Sequence, residues 1–145
     1  MTIARIIVLA SVTVLAGCTM TTGGTAAEEG QVEARSRNVP AARATGPAES
    51  CIRLAEVTNS EVRNDWTIDF ERGTSRQIYR AELDNRCHRL NAERAFTYNT
   101  SLSQLCTTDI IYPLQQSGGL DRGPGCGISR FIPMELAPTA ANPGG

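Results

Sequence analysis

The chain has 145 residues, with 14 arginines, 15 acidic residues and a formal net charge of −1 at pH 7. This length allows one domain of ordinary size, and the balanced charge gives no basic excess of the kind that indicates nucleic-acid binding. The chain contains no lysine, and its arginines are scattered rather than clustered, so the composition predicts no nucleic-acid partner.

The N-terminus has the pattern of a secretory signal peptide. One positive charge at Arg5 precedes an apolar run over residues 6–16, which at roughly eleven residues is much shorter than the ~20 that span a bilayer as a helix. The run ends in Leu15, Ala16, Gly17 and Cys18, which resemble the bacterial lipobox. We therefore predict a signal peptide over residues 1–17.

The lipobox predicts that Cys18 becomes the lipidated first residue. Diacylglycerol on its thiol and an acyl group on its new amine give two or three chains, enough for stable membrane anchoring. Thr19 rather than Asp follows Cys18, which by the enterobacterial sorting rule favours the outer membrane, facing the periplasm. The alternative is an unmodified cysteine beside an ordinary signal peptide.

Four further cysteines predict a disulfide framework: Cys51, Cys87, Cys106 and Cys126. An even number in a small extracytoplasmic domain is typical of structural disulfides. Their wide spacing, with His88 as the one histidine, disfavours a metal site, and no cofactor is predicted. Three pairings are open; the one we prefer joins Cys87 to Cys106 and Cys51 to Cys126.

Composition divides the mature chain into three parts. Residues 18–49 predict a disordered tether, because Val32 and Val39 are their only β-branched aliphatic residues. A short helix without an apolar stripe is allowed at residues 26–36. Residues 50–136 are the predicted folded domain, and residues 137–145, with two prolines and a Gly-Gly end, predict a frayed tail.

Alternating apolar and polar residues predict strands. Trp66, Ile68 and Phe70 alternate with polar residues, and after a turn at Gly73 a second alternation runs over residues 79–83. This favours a hairpin with one face in solvent. Further strands are predicted at 96–98, 110–114 and 128–134, and one helical turn at 101–106. The fold class is mainly β: a small antiparallel barrel or sandwich, OB-like as one possibility, with two disulfides.

A set of residues spread over positions 51–133 carries a family resemblance: Asp65, Thr67, Ile68, Tyr79, Leu83, Cys87, Leu105, Cys106, Asp109, Cys126, Gly127, Phe131 and Pro133. With these residues the domain resembles a family of bacterial lipoproteins, the domain of unknown function 6491. Ser129 departs from the small residue, often glycine, expected at its position. The resemblance implies an envelope location and disulfides, and it implies no activity.

Several groups are candidate sites, and none of them predicts catalysis. The carboxylates Asp65, Asp69 and Glu71 could act on glycosidic bonds, but polar alternation on the solvent face of a strand explains them without any function. His88 lacks an evident nucleophile, and Asp109 favours a turn cap or an ion pair with an arginine. The glycine-rich segment 117–127 is no phosphate loop. The aromatic residues Trp66, Phe70, Tyr79, Phe96 and Tyr98 favour a core over a stacking platform.

The sequence therefore favours a non-enzymatic envelope lipoprotein that binds another envelope protein or the cell wall. Its membrane contact is the lipid on Cys18. Two alternatives are a cell-wall hydrolase that uses paired carboxylates and a hydrolase inhibitor that inserts the 117–127 segment.

Overall fold

The computed structural model describes residues 26–100, 102–115 and 121–138. These residues form two helices, α1 (Ala26–Ser36) and α2 (Leu90–Glu93), and a 3-10 turn at Leu54–Glu56. The strands β1 to β10 are Ala42–Ala44, Cys51–Arg53, Val57–Asn64, Thr67–Arg72, Thr74–Leu83, Phe96–Tyr98, Gln104–Cys106, Ile110–Gln115, Asp121–Arg122 and Cys126–Leu136. The mainly-β prediction is confirmed.

One antiparallel sheet organises the domain. Its order is β3-β4-β5-β10-β8-β6, with β1 beside β10 and β9 beside β8, and it curls into a half-barrel around the core. Phe70 on β4 meets Phe96 on β6 edge to face, with ring centroids 6.0 Å apart. The fully buried Leu90 lies on α2, which contacts both β3 and β8. Strands distant in the sheet thus meet across one core.

The predicted hairpin is β4 and β5, and it turns at Gly73. This residue has φ +60°, a conformation that glycine adopts without steric cost. Ile68 and Phe70 are buried as expected, but Asp69 and Arg80 on the opposite face are buried too. The prediction of a solvated face is therefore wrong, because the chain that follows α1 crosses that face.

Part of the predicted tether belongs to the fold. The helix α1 occupies the residues where a short helix was allowed, and β1 pairs with the end of β10. Glu49 forms a further antiparallel bridge with Phe131. The expected boundary at residue 50 is thus wrong, since residues 42–49 pair with the backbone along one edge of β10 and satisfy its hydrogen bonds. Of the predicted tail, residues 139–145 lie outside the described part.

The disulfides join Cys51 to Cys106 and Cys87 to Cys126, so the preferred pairing is wrong. Cys51 and Cys106 lie directly opposite each other in a separate two-stranded sheet of β2 and β7. Cys87 follows β5, and β10 begins at Cys126 and pairs with β5. Strand pairing, rather than separation along the chain, selects the partners.

The remaining local predictions have mixed outcomes. Gln104–Cys106 is a strand rather than part of a helical turn, because it pairs with β2. The strands predicted at 96–98, 110–114 and 128–134 are present as β6, β8 and β10. Within the glycine-rich segment, Asp121 and Arg122 pair with β8, and residues 116–120 lie outside the described part.

Candidate functional site

The predicted lipidation site lies outside the described residues. The signal peptide, the motif Leu15–Cys18 and Cys18 itself precede residue 26, so lipid attachment stays a prediction. Within the described ranges, no helix has both the length and the apolar character needed to cross a membrane.

The candidate carboxylates have separate structural partners. Asp69 is fully buried and accepts hydrogen bonds from Arg63 Nε at 2.8 Å and from Arg80 Nε at 2.8 Å and Nη2 at 3.0 Å. Asp65 accepts from Arg86 Nε at 3.0 Å and from the backbone N–H of Asn91 at 2.9 Å. Asp69 is therefore enclosed by guanidinium groups, and this geometry offers no route for a substrate to reach it.

The other candidates for polar chemistry do not converge. His88 is exposed beside the buried Cys87, as expected for a surface histidine near a disulfide. Asp109 caps a turn, since its Oδ2 accepts the Cys106 backbone N–H at 2.7 Å, which confirms that prediction. Among residues 26–100, 102–115 and 121–138, no three His, Cys, Asp or Glu side chains are grouped as metal ligands.

Trp66 differs from the other aromatic residues of the set. Phe70 and Tyr79 are buried in the core, and Phe96 and Tyr98 pack against it. Trp66 is half-buried, and the guanidinium carbon of Arg35 lies 4.2 Å from the centroid of its ring. A cation over an indole face is stabilised electrostatically. The core interpretation therefore holds for four aromatic residues, and Trp66 is a surface feature.

The buried Asn64 fixes the turn that carries Trp66. Its Nδ2 donates to the backbone carbonyls of Arg35 and Arg37, each at 2.9 Å, and its Oδ1 accepts the Trp66 N–H at 2.8 Å. The carbonyls at a helix C-terminus lack partners within the helix, and one side-chain amide supplies two of the missing bonds. Asn64 thus joins the end of α1 to the turn between β3 and β4.

Two clefts flank Trp66. The first, about 420 Å³, separates α1 from the turn that carries Trp66, and the second, about 340 Å³, lies over the outer face of β4, β5 and β10. The first is lined by Gly30, Gln31, Ala34, Arg37, Asn38, Asn64, Asp65, Trp66, Arg86 and Asn91. The second, called the arginine cleft below, is lined by Arg35, Val39, Trp66, Thr67, Arg80, Glu82, Arg130 and Met134.

The arginine cleft combines three guanidinium groups with apolar walls. Arg80 is held by Asp69 and donates from Nη2 to the carbonyl of Pro40 at 3.1 Å. Arg130 contacts Oε2 of Glu82 at 2.7 Å. No local sequence signal predicts this cleft, because its arginines lie on α1, β5 and β10. Alternation along β5 does predict that Arg80 and Glu82 share one face of the strand, and this is the part of the cleft that the sequence indicates.

Comparison of the chain with protein-family models, with curated proteins and with solved structures finds no match. The resemblance to the domain of unknown function 6491 accordingly stays a prediction.

Proposed function

We propose that this chain is a lipid-anchored protein of the bacterial cell envelope whose domain binds another envelope component without catalysing a reaction. The observation that carries the proposal is that the cysteines outside the lipobox pair completely, as Cys51 with Cys106 and Cys87 with Cys126. Such disulfides are typical of compartments outside the cytoplasm. The two disulfides agree with the export that the Leu15–Cys18 motif predicts. They use four of the five cysteines, so that Cys18 is the remaining one and is available for lipid attachment.

Binding, rather than catalysis, is supported by the chemistry of the candidate groups. Among the candidate carboxylates Asp69 is the most deeply buried and is enclosed by Arg63 and Arg80, and His88 is exposed on the surface. The clefts beside Trp66 offer guanidinium donors and an aromatic ring, which suit recognition of a ligand. Neither the hydrolase nor the inhibitor alternative gains a specific observation from the described residues.

We assign the domain to the periplasmic side of the outer membrane, because Thr19 follows the lipidated cysteine. The domain of unknown function 6491 is the family that this proposal favours. The partner would be an envelope protein or cell-wall material, and the membrane contact would be the acyl chains on Cys18.

The experiment that tests anchoring is metabolic labelling with palmitate followed by membrane fractionation. We expect the wild type and a Thr22→Ala control to be labelled and to fractionate with the outer membrane, whereas Cys18→Ala loses the label. Equal labelling of Cys18→Ala would overturn the lipoprotein assignment. Release of cell-wall fragments by the purified protein would overturn the non-enzymatic assignment.

A further inference from the structure

The arginine cleft has more positive charge than its own acids balance. Arg80 shares the single charge of Asp69 with Arg63, whose Nη1 also contacts Oε2 of Glu61 at 2.7 Å. Arg35 has no carboxylate partner within the described residues and instead covers the Trp66 ring. Arg80 is buried, and a buried guanidinium group is stabilised by an oxyanion. Arg35 is exposed at the edge of the cleft, where its unbalanced positive charge attracts an anion. The cleft is thus prepared for a ligand with negative charge.

The size of the excess indicates a carboxylate. Arg130 is neutralised by Glu82 and Arg80 largely by Asp69, which leaves approximately the one charge of Arg35. A carboxylate carries one negative charge, whereas a phosphate monoester carries about 1.5 to 2 at neutral pH. The planar guanidinium group also matches the two oxygens of a carboxylate.

Two further features indicate what adjoins the carboxylate. Val39, Met134 and the Trp66 ring give the cleft apolar walls, which suit a small alkyl group. Both contacts of Arg130 fall on Oε2 of Glu82, and within the described residues Oε1 has no hydrogen-bond donor. That oxygen can accept an N–H from the ligand. An amide N–H, a small alkyl side chain and a carboxylate together form the C-terminus of a peptide.

We propose that the arginine cleft binds the free C-terminal carboxylate of a short peptide that ends in a small apolar residue. Arg35 and Arg80 would donate to the carboxylate, Oε1 of Glu82 would accept the terminal amide N–H, and Val39 with Met134 would contact the side chain. This ligand rests on the proposed binding function and gives it a chemical identity.

Trp66 allows a direct test because it is the one tryptophan of the chain. The full-length protein in detergent micelles is titrated with N-acetyl-alanyl-alanine while tryptophan fluorescence is recorded. The same dipeptide with a C-terminal amide and inorganic phosphate are the two comparison probes. We expect a saturable change with the acid, and binding of the amide weaker by about ten-fold or more because the charge-assisted bonds are lost.

Matched variants assign the change to the cleft. Arg35→Gln removes the unbalanced guanidinium, whereas Arg122→Gln alters another exposed arginine, whose guanidinium lies 5.5 Å from the Tyr112 ring centroid and outside the cleft. We expect the Kd to rise about ten-fold or more for Arg35→Gln and to stay unchanged for Arg122→Gln, with far-UV circular dichroism the same for both.

Three results would overturn the peptide assignment. They are no saturable change with the acid, equal binding of acid and amide, and a change with phosphate at concentrations as low as those of the acid. None of these bears on lipid attachment, which palmitate labelling tests separately. Failure of the ligand and failure of the anchor are therefore distinguishable.

Discussion

The buried Asp69 is the residue whose substitution should damage the fold most specifically. Asp69→Asn keeps the shape of the side chain but removes its charge, and it replaces one acceptor oxygen by an N–H₂ group that faces guanidinium donors. Asp69 accepts three hydrogen bonds of 2.8, 2.8 and 3.0 Å from Arg63 and Arg80. At least one of them must be lost in the variant.

The expected cost is about 3–5 kcal/mol of unfolding free energy, the usual effect of removing one partner from a buried ion pair. The variant leaves Arg80 without a carboxylate partner, whereas Arg63 retains Glu61 at 2.7 Å. The free-energy cost is therefore that of one unpaired guanidinium group and not two. A cost of this size is a large part of the roughly 5–15 kcal/mol that stabilises an ordinary domain. With a urea m-value of about 2 kcal/mol/M, the midpoint should fall by about 2 M.

Urea unfolding monitored by Trp66 fluorescence and by far-UV circular dichroism measures this cost. Glu71→Gln is the matched control, because Glu71 lies two residues further along β4, is half-buried, and forms no ion pair within the described residues. We expect this variant to lie within about 0.5 kcal/mol of the wild type. If Asp69→Asn loses no more stability than Glu71→Gln, the interpretation of Asp69 as an essential buried charge is refuted.

Two further predictions concern pH and the attachment of α1. Burial raises the pKa of Tyr79 above its usual value of 10.0, so its neutral form is favoured in the folded state. The contribution of Tyr79 to stability should be constant below about pH 10 and fall as the pH rises further. Because the chain has no lysine, Tyr79→Phe should flatten the loss of stability above about pH 10 in urea unfolding, and an equally steep fall would contradict the assignment. Asn64→Ala removes two hydrogen bonds to the end of α1 and should accelerate tryptic cleavage after Arg37 several-fold. The control Asn59→Ala changes an exposed asparagine and should leave the cleavage rate unchanged. Equal cleavage rates for the two variants would show that Asn64 does not hold the helix.

Local sequence was sufficient for the features that depend on neighbouring residues. The alternation from Trp66 to Leu83, with a glycine between its halves, contains all that a hairpin requires, and β4 and β5 follow it. Asp109, three residues after Cys106, likewise has its capping role determined within one turn. In both cases the interacting groups are close along the chain.

Features that depend on distant pairing were predicted wrongly. The disulfide partners follow from β2 pairing with β7 and β5 pairing with β10, and neither pairing has a local signal. The polar alternation along β4 predicts Asp69 in solvent. Its burial depends on Arg63 and Arg80, which lie on neighbouring strands, and on Pro40, which belongs to a segment of tether-like composition. The arginine cleft could not be predicted, because three separate elements build it.

The attachment of α1 by Asn64, together with the pairing of residues 42–49 with β10, limits how far the domain of an acylated protein can move from the membrane. With a free tether from Cys18 to residue 50, a fully extended chain of about 3.6 Å per residue would reach about 115 Å, whereas the eight steps from Cys18 to Ala26 reach at most about 29 Å. A domain lipidated at Cys18 would therefore meet its ligand by diffusing in the plane of the membrane. Its encounters would be set by the density of partners at that surface, and a peptide terminus elsewhere in the periplasm would have to come to it.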